Sequence, residues 1–228
     1  MKAVNHTLST VKSKILEELN EDQQKPVIDY HGPSFVLAGP GSGKTHTICS
    51  RAAYMIEEGI RPENMLIFTF TRKAAGELKE RIKNKIGDKA YGITIGTYHS
   101  VCSRLLRQYI HYLGFKNNFS IYDEEDKTNL LKKIVTDDRI QHTTVANYIS
   151  DWKNRMISPQ NAMVNAQNTF EELSAGYYQK YQEQLKDQNA LDFDDLIYQT
   201  IRLLDNHHDV LEKVTNKYQY IMAELIGR

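Results

Sequence analysis

Short runs of consecutive apolar residues break up a chain whose apolar positions otherwise recur at helical spacing. Phe35-Val36-Leu37-Ala38, Met65-Leu66-Ile67-Phe68-Thr69-Phe70 and Gly92-Ile93-Thr94-Ile95-Gly96 each read as a strand, and Tyr218-Gln219-Tyr220-Ile221-Met222-Ala223 reads as a returning one. A short apolar run bounded by turn residues is the pattern of a strand buried on both faces, as in a parallel sheet covered by helices. Helical patterns lie between the runs. Thr47 to Glu58 is one, Thr71 opens a second as its candidate cap, and a third runs from the end of the Gly92–Gly96 strand to about Leu113. Before the first run, Leu8, Val11, Ile15, Leu16 and Leu19 sit at helical spacing, and Asn20 is placed to cap a short helix reaching Tyr30.

From Gly114 to Ala190 the character changes. The strand-like runs give way to helical patterns at Asp123–Val135, Thr143–Met156 and Thr169–Leu185, which predicts an all-helical insertion. Phe119-Ser120-Ile121-Tyr122 before Asp123-Glu124 resembles an apolar strand, but Asp123 with Asp126 three residues on is the arrangement of a capping box. Leu191-Asp192-Phe193-Asp194-Asp195-Leu196 then starts another helix, with Asp192 as cap. The expected organisation is a leading segment 1–18, the first part of an α/β domain over 19–113, the helical insertion over 114–190, and a return to the first domain over 191–228. The fold class is α/β, a parallel sheet with helices on both faces.

The loop after the first run carries the chemistry. Ala38-Gly39-Pro40-Gly41-Ser42-Gly43-Lys44-Thr45 lies between a strand pattern and a helix pattern, the setting a phosphate-binding loop needs. Its glycines let successive N–H groups turn toward one anion, and the helix N-terminus adds partial positive charge. Lys44 would reach β- and γ-phosphates, and the Thr45 hydroxyl would hold Mg²⁺. Ala38 stands where the motif usually begins with Gly. Upstream, the Gln23 amide has both a donor and an acceptor, as pairing with an adenine edge requires.

Composition adds little to this. The chain has 228 residues, of which 40% are hydrophobic, and 29 Lys and Arg balance 29 Asp and Glu, so net charge points to no partner. Local charge says more. Arg72, Lys73, Lys79, Arg81, Lys83, Lys85 and Lys89 outnumber Glu77, Glu80 and Asp88 over one helical stretch, a stripe that can meet phosphates or simply face solvent. Cys49 and Cys102 lack metal-site spacing and read as reduced thiols, and no apolar run of signal-peptide or membrane-spanning length is present, so the expected setting is cytoplasmic.

Taken together, these stretches resemble the UvrD/Rep/PcrA group of superfamily 1 DNA helicases. Leu19-Asn20-x-x-Gln23 is similar to the adenine-reading Q motif, Ala38–Thr45 to motif I, Phe68-Thr69-Phe70-Thr71-Arg72-Lys73-Ala74-Ala75 to motif Ia, and Thr94-Ile95-Gly96-Thr97-Tyr98-His99-Ser100 to motif Ib. Tyr148-Ile149-Ser150-x-x-Lys153 and Leu191–Leu196 are similar to signatures of the helical 1B region. The resemblance covers about Leu19 to Ala223. It implies a RecA-like domain 1A with 1B inserted, ATP and Mg²⁺ as cofactors, and single-stranded or 3′-tailed DNA as partner in 3′-to-5′ unwinding. Carried over, Gln23, Ala38, Gly39, Pro40, Gly41, Ser42, Gly43, Lys44, Thr45 and His46 would hold the nucleotide. Lys44 and Thr45 would also be catalytic, with Thr45 as metal ligand. Phe70, Thr71, Arg72, Thr97, Tyr98, His99 and Lys153 would contact DNA, with Phe70 and Tyr98 offering ring faces for base stacking.

The chain departs from the family at His46, where close relatives carry Arg, and at its end. Glu224 falls where the Mg²⁺-binding Asp belongs, and Leu225 where the water-activating Glu belongs. Leucine neither binds a metal nor accepts a proton. The expectation is therefore an N-terminal helicase fragment, ending at motif II without the second RecA-like half and its arginine finger. It would bind nucleotide and DNA while hydrolysing and unwinding very weakly or not at all. Two alternatives go with it, a non-catalytic module that binds single-stranded DNA or protein and a degenerate remnant with no activity, and a further protein supplying the absent half is a candidate partner.

Overall fold

The computed structural model describes residues 2–39 and 41–224, with side chains from Thr10 onward. In chain order the first elements are α1 (Lys2–Glu17), α2 (Glu21–Ile28), α3 (Lys44–Glu57), β1 (Met65–Thr69), α4 (Arg72–Ile86), β2 (Thr94–Thr97) and α5 (Tyr98–Tyr109). Then follow β3 (Ser120–Tyr122), α6 (Glu124–Ile134), α7 (His142–Asn154), α8 (Pro159–Val164) and α9 (Thr169–Asp187). The chain closes with β4 (Ala190–Asp192), α10 (Phe193–Asn206), α11 (His208–Lys217) and β5 (Tyr220–Ala223). It divides into two units. A sheet unit holds the residues up to Tyr98 and those from Glu212 on, and a helical unit holds His99–Leu211.

In the sheet unit β1 is central and parallel to both neighbours, in the order β2-β1-β5. Leu66 pairs with Thr94 and Ile221, and Phe68 with Gly96 and Ala223. Being central, β1 must bury both faces, and Met65, Leu66 and Ile67 are all buried. One core gathers Met65, Ile67 and Met222 from the strands, Cys49, Ala53 and Met55 from α3, and Leu78, Ile82 and Ile86 from α4. Each Leu, Ile or Met side chain among them contributes about 1.5–3 kcal/mol on burial. Thr71 starts α4 as predicted, its hydroxyl accepting from Ala74 N at 3.1 Å. Asn20 and Gln23 form a capping box on α2.

One expected strand does not form. Phe35–Ala38 lies outside any sheet, with Phe35 77% and Leu37 85% exposed. An apolar run supplies only the propensity for a strand, and a strand also needs a neighbour's edge. In the described sheet β2, β1 and β5 pair with one another, and the run joins neither outer edge. The run instead flanks an open cleft of about 800 Å³ whose other wall is α2.

The helical unit corrects a second expectation, because the insertion is not wholly helical. β3 and β4 form a parallel pair, Ser120 opposite Ala190 and Tyr122 opposite Asp192. The apolar run Phe119–Tyr122 is thus both a short strand and the approach to the Asp123 cap, which accepts from Glu125 N and Asp126 N at 2.9 Å each. Around this pair pack Leu131, Val145, Ile149, Tyr178, Tyr181 and Leu185. Asp192 ends β4 and caps α10 in a reciprocal box with Asp195, accepting from Asp195 N at 2.8 Å.

Beneath that cap lies a buried ionic cluster. Lys153 Nζ on α7 is 2.7 Å from Asp192 Oδ2 and 3.0 Å from Asp195 Oδ1, and all three side chains are at most 2% exposed. Tyr181 donates to Asp192 at 3.0 Å and Gln182 to Asp195 at 3.3 Å. One turn away Lys127 donates to Ser150 at 2.7 Å and to Asp194 at 3.1 Å, while Ser150 donates to Asp194 at 2.6 Å. The two sequence signatures of this region are therefore each other's partners.

Candidate functional site

The site is built at the C-terminal ends of the parallel strands of the sheet unit. Gly41 and Gly43 both take left-handed backbone, φ 75° and 84°, which lets the loop double back before α3 begins. A side chain at Gly43 would also strike the Gln23 amide, its Cβ coming within 2.7 Å of Nε2. Ser42 Oγ donates to Gly39 O at 2.7 Å and closes the loop on itself. Gln23 Nε2 donates to Ser42 O at 3.0 Å, tying α2 to the loop. Pro40, one of the expected nucleotide contacts, lies outside the described residues.

Lys44 opens α3 and folds across the loop, donating to Ala38 O and Gly39 O at 3.0 Å each. The ammonium is thereby held at the loop mouth by two backbone carbonyls. Thr45, next on the helix, donates its hydroxyl to Glu224 Oε1, across 179 residues of sequence. Glu224 is fixed in turn by its own backbone, its N–H donating to Phe68 O at 3.0 Å beyond the last residue of β5. A hydroxyl and a carboxylate in contact beside a phosphate loop suit the donor set Mg²⁺ takes there, with nucleotide oxygens and water completing the shell. Among the described residues no group of three His, Cys, Asp or Glu side chains is placed to hold a metal alone. His46 is half-buried on the first turn of α3.

The expected DNA-contact residues fall into three groups. Phe70, just past β1, is 68% exposed, and Thr71 and Arg72 beside it are also exposed. Tyr98, after β2, is half-buried and lies flat on Phe68, with centroids 4.5 Å apart and planes 6° from parallel. One face of Tyr98 is thus already covered, by a residue the sequence reading left aside. Thr97 is half-buried at the end of β2. His99, in the helical unit, is exposed and meets Phe193 edge to face at 5.8 Å. Phe193 is itself 44% exposed and went unnoticed in sequence because it sits among capping residues. Lys153 does not belong with these. Its ammonium is fully buried among Asp192 and Asp195, so it serves the helical unit and presents no cation to a phosphate. Gln23 is also committed: Oε1 accepts from Asn20 N at 3.2 Å while Nε2 holds Ser42, so pairing with adenine would require exchanging both partners.

A parallel sheet whose rim carries a glycine loop, a lysine and a threonine at the head of the following helix defines a phosphate-loop nucleotide-binding domain of RecA-like kind. Residues 19–224 match the family described as UvrD/REP helicase N-terminal domain, and the chain belongs to that family. It is 38% identical to the ATP-dependent DNA helicase PcrA of Staphylococcus aureus, over 92% of this chain and 30% of that protein. The Staphylococcus epidermidis PcrA is 36% identical over the same shares. The chain thus spans about a third of the length of the curated relatives it matches. No helix among the described residues is long and apolar enough to cross a membrane.

Proposed function

We propose that this chain binds ATP with Mg²⁺ in the loop Ala38–Thr45 and contacts single-stranded DNA along the rim formed by Phe70, Thr71, Arg72, Thr97 and Tyr98. It would act as the N-terminal part of a 3′-to-5′ DNA helicase. The observation that carries the reading is the meeting of Thr45 with Glu224 on the rim where Lys44 already spans the loop mouth. Mg²⁺ bound there would neutralise charge on the β- and γ-phosphates. Thr45 and Glu224 would hold it, Lys44 would exchange the two loop carbonyls for phosphate oxygens, and the left-handed glycines would turn backbone N–H groups inward.

Hydrolysis is a separate matter. Glu224 supplies a carboxylate, but Leu225 follows it, and a hydrocarbon cannot orient or deprotonate an attacking water. The expected result is nucleotide binding with turnover at background, unchanged by single-stranded DNA, in a coupled ATPase assay. Robust DNA-stimulated turnover would sink the assignment.

For DNA, the exposed Phe70 ring is the stacking platform, while Tyr98, one face of which is covered by Phe68, would offer its other face. Base–aromatic stacking is worth about 1–3 kcal/mol per base. Phe70→Ala is expected to weaken binding of a labelled oligothymidylate by that amount in an anisotropy titration, without lowering the melting temperature, since the ring is exposed. A second reading has its own support. Phe35, Val36, Leu37 and the β5 residue Ile221 are all at least half exposed, and exposed apolar side chains and an unpaired strand edge each favour association with protein. In that reading the chain is a binding module, and assembly would survive loss of Lys44.

A further inference from the structure

We infer that the face of α4 bearing Arg72, Gly76, Lys79 and Lys83 is a track for the phosphates of single-stranded DNA, with Gly76 as its point of closest approach. The inference rests on the DNA-contact reading above and extends it away from the strand rim along the helix.

At 3.6 residues per turn, positions 72, 76, 79 and 83 fall within about 60° of arc and span about 16 Å of helix axis. All four residues are exposed. The buried stripe of α4, Leu78, Ile82 and Ile86, is centred about 90° round the helix and faces the core, with Ile86 bordering Lys79. Of the acidic residues of the helix, Glu77 lies off this face and is engaged by Lys73 at 4.0 Å, while Glu80 flanks it, four residues after Gly76 and three before Lys83. Among the described residues, neither Arg72, Lys79 nor Lys83 makes an ion pair. The face therefore presents three cations and a glycine, with the single carboxylate of Glu80 at its border.

Two of its members are poor choices for the helix itself. Gly76 stands in the helix interior, where glycine is the weakest helix former after proline. Nothing in the fold asks for it, because a Cβ built there would meet no atom within 4 Å. Arg72 sits in the first turn, where the helix dipole is positive and no acidic residue offsets it. Lys83, in the last turn, suits the dipole, but Lys79 in the middle gains nothing from it. Local rules broken together on one exposed face point outward, to a ligand that needs both charge and clearance. A polynucleotide backbone fits, since it carries regularly spaced anions and can lie close against a helix only where side chains are short. The track begins at Arg72, two residues after the Phe70 ring, so a strand stacked on Phe70 would lead its phosphates onto it.

The test is an anisotropy titration of labelled oligothymidylate with the full chain at several salt concentrations. Wild type is compared with Lys79→Ala/Lys83→Ala, Gly76→Ala and Gly76→Gln. Each phosphate contact on a single strand contributes about 0.7 to the slope of log K against log salt, so the double variant should lose about 1.4 from that slope. Gly76→Gln should bind severalfold more weakly at every salt concentration. Gly76→Ala should bind more weakly while raising the melting temperature by about 2 °C, because alanine is the better helix former and the space is free. Wild-type affinity and slope in all three variants, with Phe70→Ala still impaired, would overturn the track and leave the rim reading standing. A wild-type chain that does not bind oligothymidylate would overturn both.

Discussion

Lys153→Met is expected to destabilise the helical unit by about 3–5 kcal/mol at pH 8, the range for removing one partner of a buried ion pair. The substitution keeps most of the side-chain volume and removes the charge. Asp192 and Asp195 would then face each other with no buried cation between them. In the intact protein burial pushes the Asp195 carboxyl up to about 6, aided by the charge of Asp192 and opposed by Lys153. Burial also acts to raise Asp192, but the charge and hydrogen bond of Lys153 outweigh it and hold that group below the usual carboxylate range. The two shifts have opposite consequences for stability. Asp195 binds its proton more tightly folded than unfolded, so its contribution is full below the unfolded value and is lost as pH rises through about 6. The contribution of Asp192 is present above its unfolded value and is lost as pH falls through the lowered one. Without Lys153 both carboxyls rise, and protonation at pH 5 relieves part of the cost. Urea unfolding of the variant should therefore show a larger loss at pH 8 than at pH 5. A loss below about 1 kcal/mol at both values would mean that the cluster does not hold the unit together.

Lys44→Ala should abolish measurable nucleotide affinity at micromolar concentrations while leaving the fold intact. A charge-assisted hydrogen bond is worth about 1.5–3 kcal/mol, so losing one lysine contact to phosphate weakens binding by roughly 10- to 100-fold. Stability should change little, because Lys44 bonds only to the carbonyls of its own loop, at a half-buried position. Isothermal titration calorimetry with ATP and Mg²⁺, paired with a melting curve, separates the two effects. Equal affinity in wild type and variant would show that the loop is not the nucleotide site.

What the sequence made legible was local. Thr71, Asn20, Asp123 and Asp192 were readable as caps because a cap is set by residues within three positions of it. The run Met65–Phe70 read correctly as a strand because a central strand must be apolar throughout. The turn between Gly41 and Lys44 was readable because glycine spacing before a helix is a local signal. What went unread depended on distant partners. The Phe35–Ala38 run has the composition of a strand, but pairing with a neighbour is not written in composition, and the run joins no strand of the described sheet. β3 and β4 pair across nearly seventy residues. Lys153 was carried over as a DNA contact, and its burial went unread because its partner Asp192 lies 39 positions away. Gln23 carried the right amide for adenine, but the structure spends both of its ends on the cap and the loop. Thr45 and Glu224 lie 179 residues apart, yet each was marked in sequence by its place in a motif.

The most direct test of the central claim is a fluorescent-ATP titration of the wild-type chain with and without Mg²⁺. Saturable binding that strengthens with Mg²⁺ is predicted, because the loop, Lys44 and the Thr45–Glu224 pair would together receive the phosphates and the metal. No binding, in a sample whose melting curve shows it to be folded, would contradict the account and favour the binding module.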